Sequence, residues 1–192
     1  MIPKSTPCGA QQALARRRQF TATHTLPPPS SDAEQVLAYL GELNPQQLAE
    51  LAAPALNGAN SLANSLKITP PMLDVLYRRG YDAYQAGDYT AAHADFCLLV
   101  LFQPHDYRFQ LACGSALQQL EQFPLALAFF SRAAELNPSD PGAPFRMAEC
   151  QLALDEIGAA QYALHTCLSL SEGSNDFHEL SQQARLLIDH LN

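Results

Sequence analysis

The sequence predicts an all-α protein built from helical hairpins, and three observations carry that prediction. Five columns of residues recur at a spacing of 34: Gly80, Gly114 and Ala148; Tyr89, Phe123 and Ile157; Ala92, Ala126 and Ala160; Phe96, Phe130 and Leu164; and Pro104 with Pro138. Within each period the apolar residues fall at helical rather than strand spacing. Prolines close the periods, where a helix cannot continue.

Each period reads as two helices. The first holds a small residue where its partner approaches closely (Gly80, Gly114, Ala148), and a turn follows near Gly87, Glu121 and Asp155. The second carries a small residue and then a large apolar one, four positions apart. This pattern resembles the tetratricopeptide repeat, with units at 73–106, 107–140 and 141–172. The resemblance implies a right-handed stack. The third unit departs from the pattern, with Asp155 at the turn and Glu172 in place of the closing proline. Phe177, Leu180, Ala184, Leu187 and Leu191 then continue at helical spacing, predicting a capping helix over 176–191 that covers the apolar face of the last unit.

The chain before the repeats divides at its prolines. Residues 1–30, ending in Pro27-Pro28-Pro29, lack periodicity and are predicted to be a disordered tail. Residues 31–71 read as an N-terminal helical segment. A capping box at Ser31 and Glu34 precedes Val36, Leu37, Leu40 and Leu43, and a weaker helix runs from Gln46 to Ala53. Such short amphipathic helices must bury their stripes against either the repeats or a second copy of the chain.

Composition narrows the function. Of 192 residues, 19 are Asp or Glu and 11 are Lys or Arg, for a net charge of −8. Four of the bases and one of the acids lie in residues 1–32, so the body is strongly acidic. Phosphate-backbone binding needs clustered bases, which argues against nucleic acid as a partner. Five cysteines without a C-x-x-C pair fit reduced thiols better than a disulfide framework, and no apolar run spans a bilayer. The expectation is a cytoplasmic protein without membrane insertion.

Enzyme motifs are missing: the sequence has no G-x-S-x-G, G-x-x-x-x-G-K-[ST], G-x-G-x-x-G or H-E-x-x-H. His93 and Cys97 share one helical face, but two ligands do not close a tetrahedral metal site. They read as a partly buried histidine and a core cysteine, and His165 with Cys167 carries less still. Asp155 and Glu156 lie at a predicted turn. No catalytic residue, metal or cofactor is expected.

The repeat leaves a concave surface lined by the first helix of each unit. Tyr77, Tyr81 and Tyr84 fall at i, i+4 and i+7 on one stripe, and Leu111, Ser115, Gln118 and Phe145 occupy the corresponding positions of the later units. Tyrosines there are amphipathic anchors for a peptide; the alternative is that one or more packs inside the hairpin. A carboxylate clamp would need Lys, Arg and Asn where this chain has Tyr77, Leu111, Tyr81 and Ser115. An extended, apolar, proline-bearing peptide fits better, with Arg108 and the glutamines bonding its backbone.

The runs Leu76-Tyr77-x-x-Gly80-Tyr81-x-x-Tyr84-Gln85-x-Gly87-x-Tyr89-x-x-Ala92-His93, Asp106-Tyr107-Arg108-Phe109, Pro144-Phe145-x-x-Ala148-Glu149-Cys150-x-Leu152 and Asp176-Phe177-x-Glu179-Leu180 together resemble the class II chaperones of type III secretion. The resemblance covers about residues 56–192. It implies a chaperone that holds hydrophobic translocator subunits in its groove, without ATP, through a segment of P-x-L-x-x-P type. It also implies a homodimer formed through the N-terminal helices, here Val36, Leu37 and Leu40 or the segment near Leu62 and Leu66. The rival reading is a generic repeat scaffold serving another pathway.

Overall fold

A computed structural model describes residues 62–65, 68–172 and 175–191. The predicted tail, the helices expected over 31–53, Val36, Leu37 and Leu40 all lie outside the described residues, as does Leu66. Among the described residues every regular element is helical. They run α1 (Leu62–Ser65), α2 (Pro70–Gln85), α3 (Tyr89–Phe102), α4 (Tyr107–Gln119), α5 (Phe123–Leu136), α6 (Gly142–Ala153), α7 (Ile157–Ser171), a 3-10 turn (Asn175–Phe177) and α8 (His178–Leu191). They form two compact units, α1 to α5 and α6 to α8.

In the first unit α2 pairs with α3, α4 pairs with α5, and α3 packs on α4. The α2 and α4 glycines are explained by what faces them. A Cβ on Gly80 would lie 2.7 Å from Phe96 Cε1, and one on Gly114 would lie 2.7 Å from Phe130 Cε1. The 34-residue recurrence of Gly with Phe is therefore a steric pair, repeated in both hairpins of this unit. The second unit pairs α6 with α7 and lays α8 on α7. There the pair is Ala148 with Leu164, both in a core with Phe145, Ala163, Cys167 and Ala184.

Turns also follow the period. Gly87 has φ +83°, and Glu121 and Asp155 take the same left-handed conformation at +60° and +62°. The third turn therefore keeps the geometry of the first without its glycine. Aspartates cap two helices, Asp88 accepting from Ala91 N at 3.0 Å and Asp106 from Arg108 N at 2.9 Å, and Asp140, one residue before the Pro141 cap of α6, accepts from Gly142 N at 2.8 Å.

Two boundaries differ from expectation. Pro70 and Pro71 belong to the first turn of α2 rather than to the segment before the repeats, because proline there gives up an N–H that has no helical partner anyway. The capping helix begins as a 3-10 turn and becomes α-helical at His178. It buries Ala184 and packs Leu180, Leu187, Ile188 and Leu191 against the core of its unit.

Candidate peptide-binding face

The face predicted to bind peptide begins on α2 and continues on α4. Tyr77, Tyr81 and Tyr84 are all half-buried, and their surroundings separate them. The Tyr77 ring lies 5.8 Å from Phe96 of α3 and 5.8 Å from Phe109 of α4. It joins the two hairpins as a packing residue, and burial raises its phenol pKa above the usual tyrosine range. Tyr84 meets Tyr89 edge-on with centroids 5.2 Å apart, across the turn at Gly87.

On α4 the expected residues also part company. Leu111 and Gln118 are half-buried, whereas Ser115 is 2% exposed and its hydroxyl donates to the Leu111 carbonyl at 2.9 Å. Ser115 is thus a core position, because a small side chain whose hydroxyl bonds its own helix tolerates burial. Arg108 is exposed and held by Asp106, at 2.8 Å and 3.1 Å, with its guanidinium 5.4 Å from the Phe109 centroid. The same aspartate caps α4, so Arg108 is fixed at the mouth of the helix.

Phe145 is corrected in the same way. It is 4% exposed and belongs to the core of the second unit. Next to it on α6, Glu149 is buried and accepts from Arg146 at 2.9 Å, a pairing that satisfies the carboxylate there. Tyr81, Tyr84, Leu111, Gln118 and Arg108 present partial surface, and so does Tyr77, whose ring also packs between the hairpins. Burial of Ser115 and Phe145 was invisible to position matching, since repeat position gives direction but not the size of the neighbour.

A second cluster was half-seen in the sequence. His93 Nε2 lies 3.2 Å from Cys97 Sγ as its i, i+4 spacing implies, and Cys113 Sγ of α4 lies 3.5 Å from Cys97 Sγ. The Cys113 thiol, deeply buried, keeps its proton and bonds to Cys97, which lowers the Cys97 pKa. Only tertiary packing brings the third donor in, and Cys113 recurs at no helical spacing from Cys97. Among the described residues no helix is long and apolar enough to cross a membrane.

No protein-family model matches the chain. It is 31% identical over 134 residues to low calcium response locus protein H of Yersinia pestis, covering 70% of this chain and 80% of that one. The type III secretion translocator chaperone SycD of Yersinia enterocolitica has been solved with a peptide of the translocator YopD and also as an alternative dimer. Both structures match at 30% identity and a TM-score of 0.63, over 65% of this chain and 95% of theirs. PcrH in complex with the chaperone-binding region of PopD matches at 27% identity and TM-score 0.63, over 64% of this chain and 92% of PcrH.

Proposed function

The chain belongs to the low calcium response locus protein H family, whose solved relatives include type III secretion translocator chaperones, and from that premise we propose that it holds a hydrophobic translocator subunit in the cytoplasm before export. The observation that carries the reading is the similarity to SycD, solved with a peptide of the translocator YopD, and to PcrH, solved with the chaperone-binding region of PopD. The face on α2 and α4 supports it. Tyr81, Tyr84 and Leu111 offer partly exposed apolar surface, and Gln118 and Arg108 offer polar groups beside it. An extended segment with proline and apolar residues would lay its side chains on the rings and bond its backbone to the polar groups.

Nothing in this role requires catalysis or nucleotide hydrolysis. Covering apolar surface lowers the client's free energy in water directly, so the chaperone acts by binding alone. The net charge of −8 keeps the complex soluble while the client is apolar. The N-terminal region with Val36, Leu37, Leu40 and Leu62 forms the homodimer contact in this reading, as a dimer is described for SycD.

Co-expression with an apolar translocator subunit from the same genome tests the proposal. The wild-type chain should move the translocator into the soluble fraction and copurify with it, and Tyr81→Ala with Tyr84→Ala should lose both effects while the helical signal persists. A translocator that stays insoluble with the wild-type chain would favour the generic scaffold. Sedimentation at micromolar concentration tests the dimer, which a monomer would refute.

A further inference from the structure

The cluster at His93, Cys97 and Cys113 has the chemistry of a metal site and plays no part in the peptide-binding reading. Its donor atoms, one imidazole nitrogen and two sulfurs, lie within 4.8 Å of one another. Zinc bonds of about 2.3 Å to sulfur and 2.0–2.1 Å to nitrogen, arranged tetrahedrally, set donor separations of about 3.8 Å for S to S and 3.5 Å for S to N. The separations here are 3.5 Å for Cys97 Sγ to Cys113 Sγ and 3.2 Å for Cys97 Sγ to His93 Nε2. Both fall short of the zinc values by about 0.3 Å, which a rotation of the half-buried His93 and Cys97 side chains would have to supply.

We propose that His93, Cys97 and Cys113 bind one zinc ion, with water as the fourth ligand, and that the ion clips α3 to α4. Two thiolates and an imidazole select a soft or borderline d10 cation over magnesium or calcium, which take oxygen ligands. Partial exposure of His93 and Cys97 gives the ion a path in and leaves room for the water, while the buried Cys113 fixes the inner vertex. The ligands come from the second helix of one hairpin and the first helix of the next, so the ion joins successive hairpins. Because the folded packing of α3 on α4 assembles the third ligand, binding free energy adds to the stability of that junction.

The test uses the full-length chain, free of any affinity tag, reduced and stripped with a chelator. Cobalt(II) titrated as a spectroscopic stand-in should give thiolate-to-metal charge transfer and tetrahedral visible bands that saturate at one equivalent and disappear on adding zinc. Zinc should raise the thermal midpoint of the wild-type chain. Cys97→Ser should weaken zinc binding at least 100-fold and His93→Ala at least tenfold, and both should abolish the midpoint shift. Cys150→Ala, whose thiol lies in the other unit, should bind like wild type. Two results would overturn the site: a folded, reduced wild-type chain with no thiolate charge-transfer band at stoichiometric cobalt, or zinc affinity unchanged in both Cys97→Ser and His93→Ala. Since both altered side chains are half-buried, the folded state of each variant is checked by its helical signal before titration.

Discussion

Gly114 and Phe130 fit each other so closely that a methyl group on Gly114 would sit 2.7 Å from Phe130 Cε1 and 2.8 Å from Cδ1. Gly114→Ala should therefore destabilise the first unit despite the roughly 1 kcal/mol that alanine gains over glycine in a helix, because overpacking costs about 1–3 kcal/mol. The third repeat, which has Ala148 and Leu164 in these columns and both in one core, suggests the compensation. Adding Phe130→Leu to Gly114→Ala should recover at least about 1 kcal/mol relative to the sum of the single changes, measured by urea unfolding of the four-member cycle. Strict additivity would show that the two positions do not restrain each other.

The turns make a prediction of opposite sign. Glu121 holds a left-handed backbone at φ +60°, which costs a side chain about 1–2 kcal/mol and costs glycine little. Glycine is also more flexible in the unfolded chain, which takes back about 0.4–1 kcal/mol. Glu121→Gly should be stabilising by about 0.5–1 kcal/mol, and Gly87→Ala should destabilise by a similar amount or more. Thermal midpoints that move the other way would contradict the strain at these turns.

Within the first hairpin, Arg79 donates to Asp95 through both Nε, at 2.7 Å, and Nη2. The pair is lopsided: the Asp95 side chain is 7% exposed and that of Arg79 41%. Arg79→Ala leaves a buried carboxylate unpaired and should cost about 2–4 kcal/mol, toward the lower end of what breaking a buried pair costs. Asp95→Ala leaves a guanidinium that can turn to water, so the loss should be smaller. Equal losses in urea unfolding would mean that burial of the carboxylate does not set the cost.

Burial also sets how stability responds to alkali. The Cys150 thiol is pushed up to about 12 by burial, with the Glu149 charge adding to it, and that of Cys167 to about 11, also by burial. In the unfolded chain both titrate near 8.5. Between these values the unfolded chain releases protons that the folded chain keeps. Stability should be full below about pH 8.5 and fall between about pH 9 and 11, by up to about 1.4 kcal/mol per pH unit for each thiol. Cys150→Ala should remove about that slope from unfolding curves measured under reductant. An unchanged slope would place the alkaline loss elsewhere.

Much of this architecture was legible because the repeat writes each packing contact three times. Gly80 with Phe96 and Gly114 with Phe130 are visible as columns, and so are the turns at Gly87, Glu121 and Asp155. What escaped was decided by neighbours that periodicity does not name. Ser115 and Phe145 sit at groove positions by number, yet one bonds its own helix and the other fills the core of α6 to α8. Cys113 looked like one more apolar position until α4 packed it against Cys97. Pro70 and Pro71 fell at the end of the segment before the repeats, because proline marks a helix start and a helix stop alike.

The three tyrosines of α2 give the last prediction, since spacing alone treats them as equals. Tyr77 contacts Phe96 and Phe109, so Tyr77→Ala removes a ring shared by two hairpins and should cost about 2–4 kcal/mol of stability. Any loss of client binding in that variant would be confounded with unfolding. Tyr81 is half-buried on the same helix, one turn further along. Tyr81→Ala should leave the unfolding midpoint within about 1 kcal/mol of wild type while weakening a proline-bearing translocator peptide by tenfold or more, since a buried aromatic contact is worth about 1.5–3 kcal/mol. Isothermal titration of that peptide with each variant separates the roles. If Tyr81→Ala binds like wild type and remains as stable, the client does not use this stripe, and the half-buried Leu111 and Gln118 of α4 become the next positions to change.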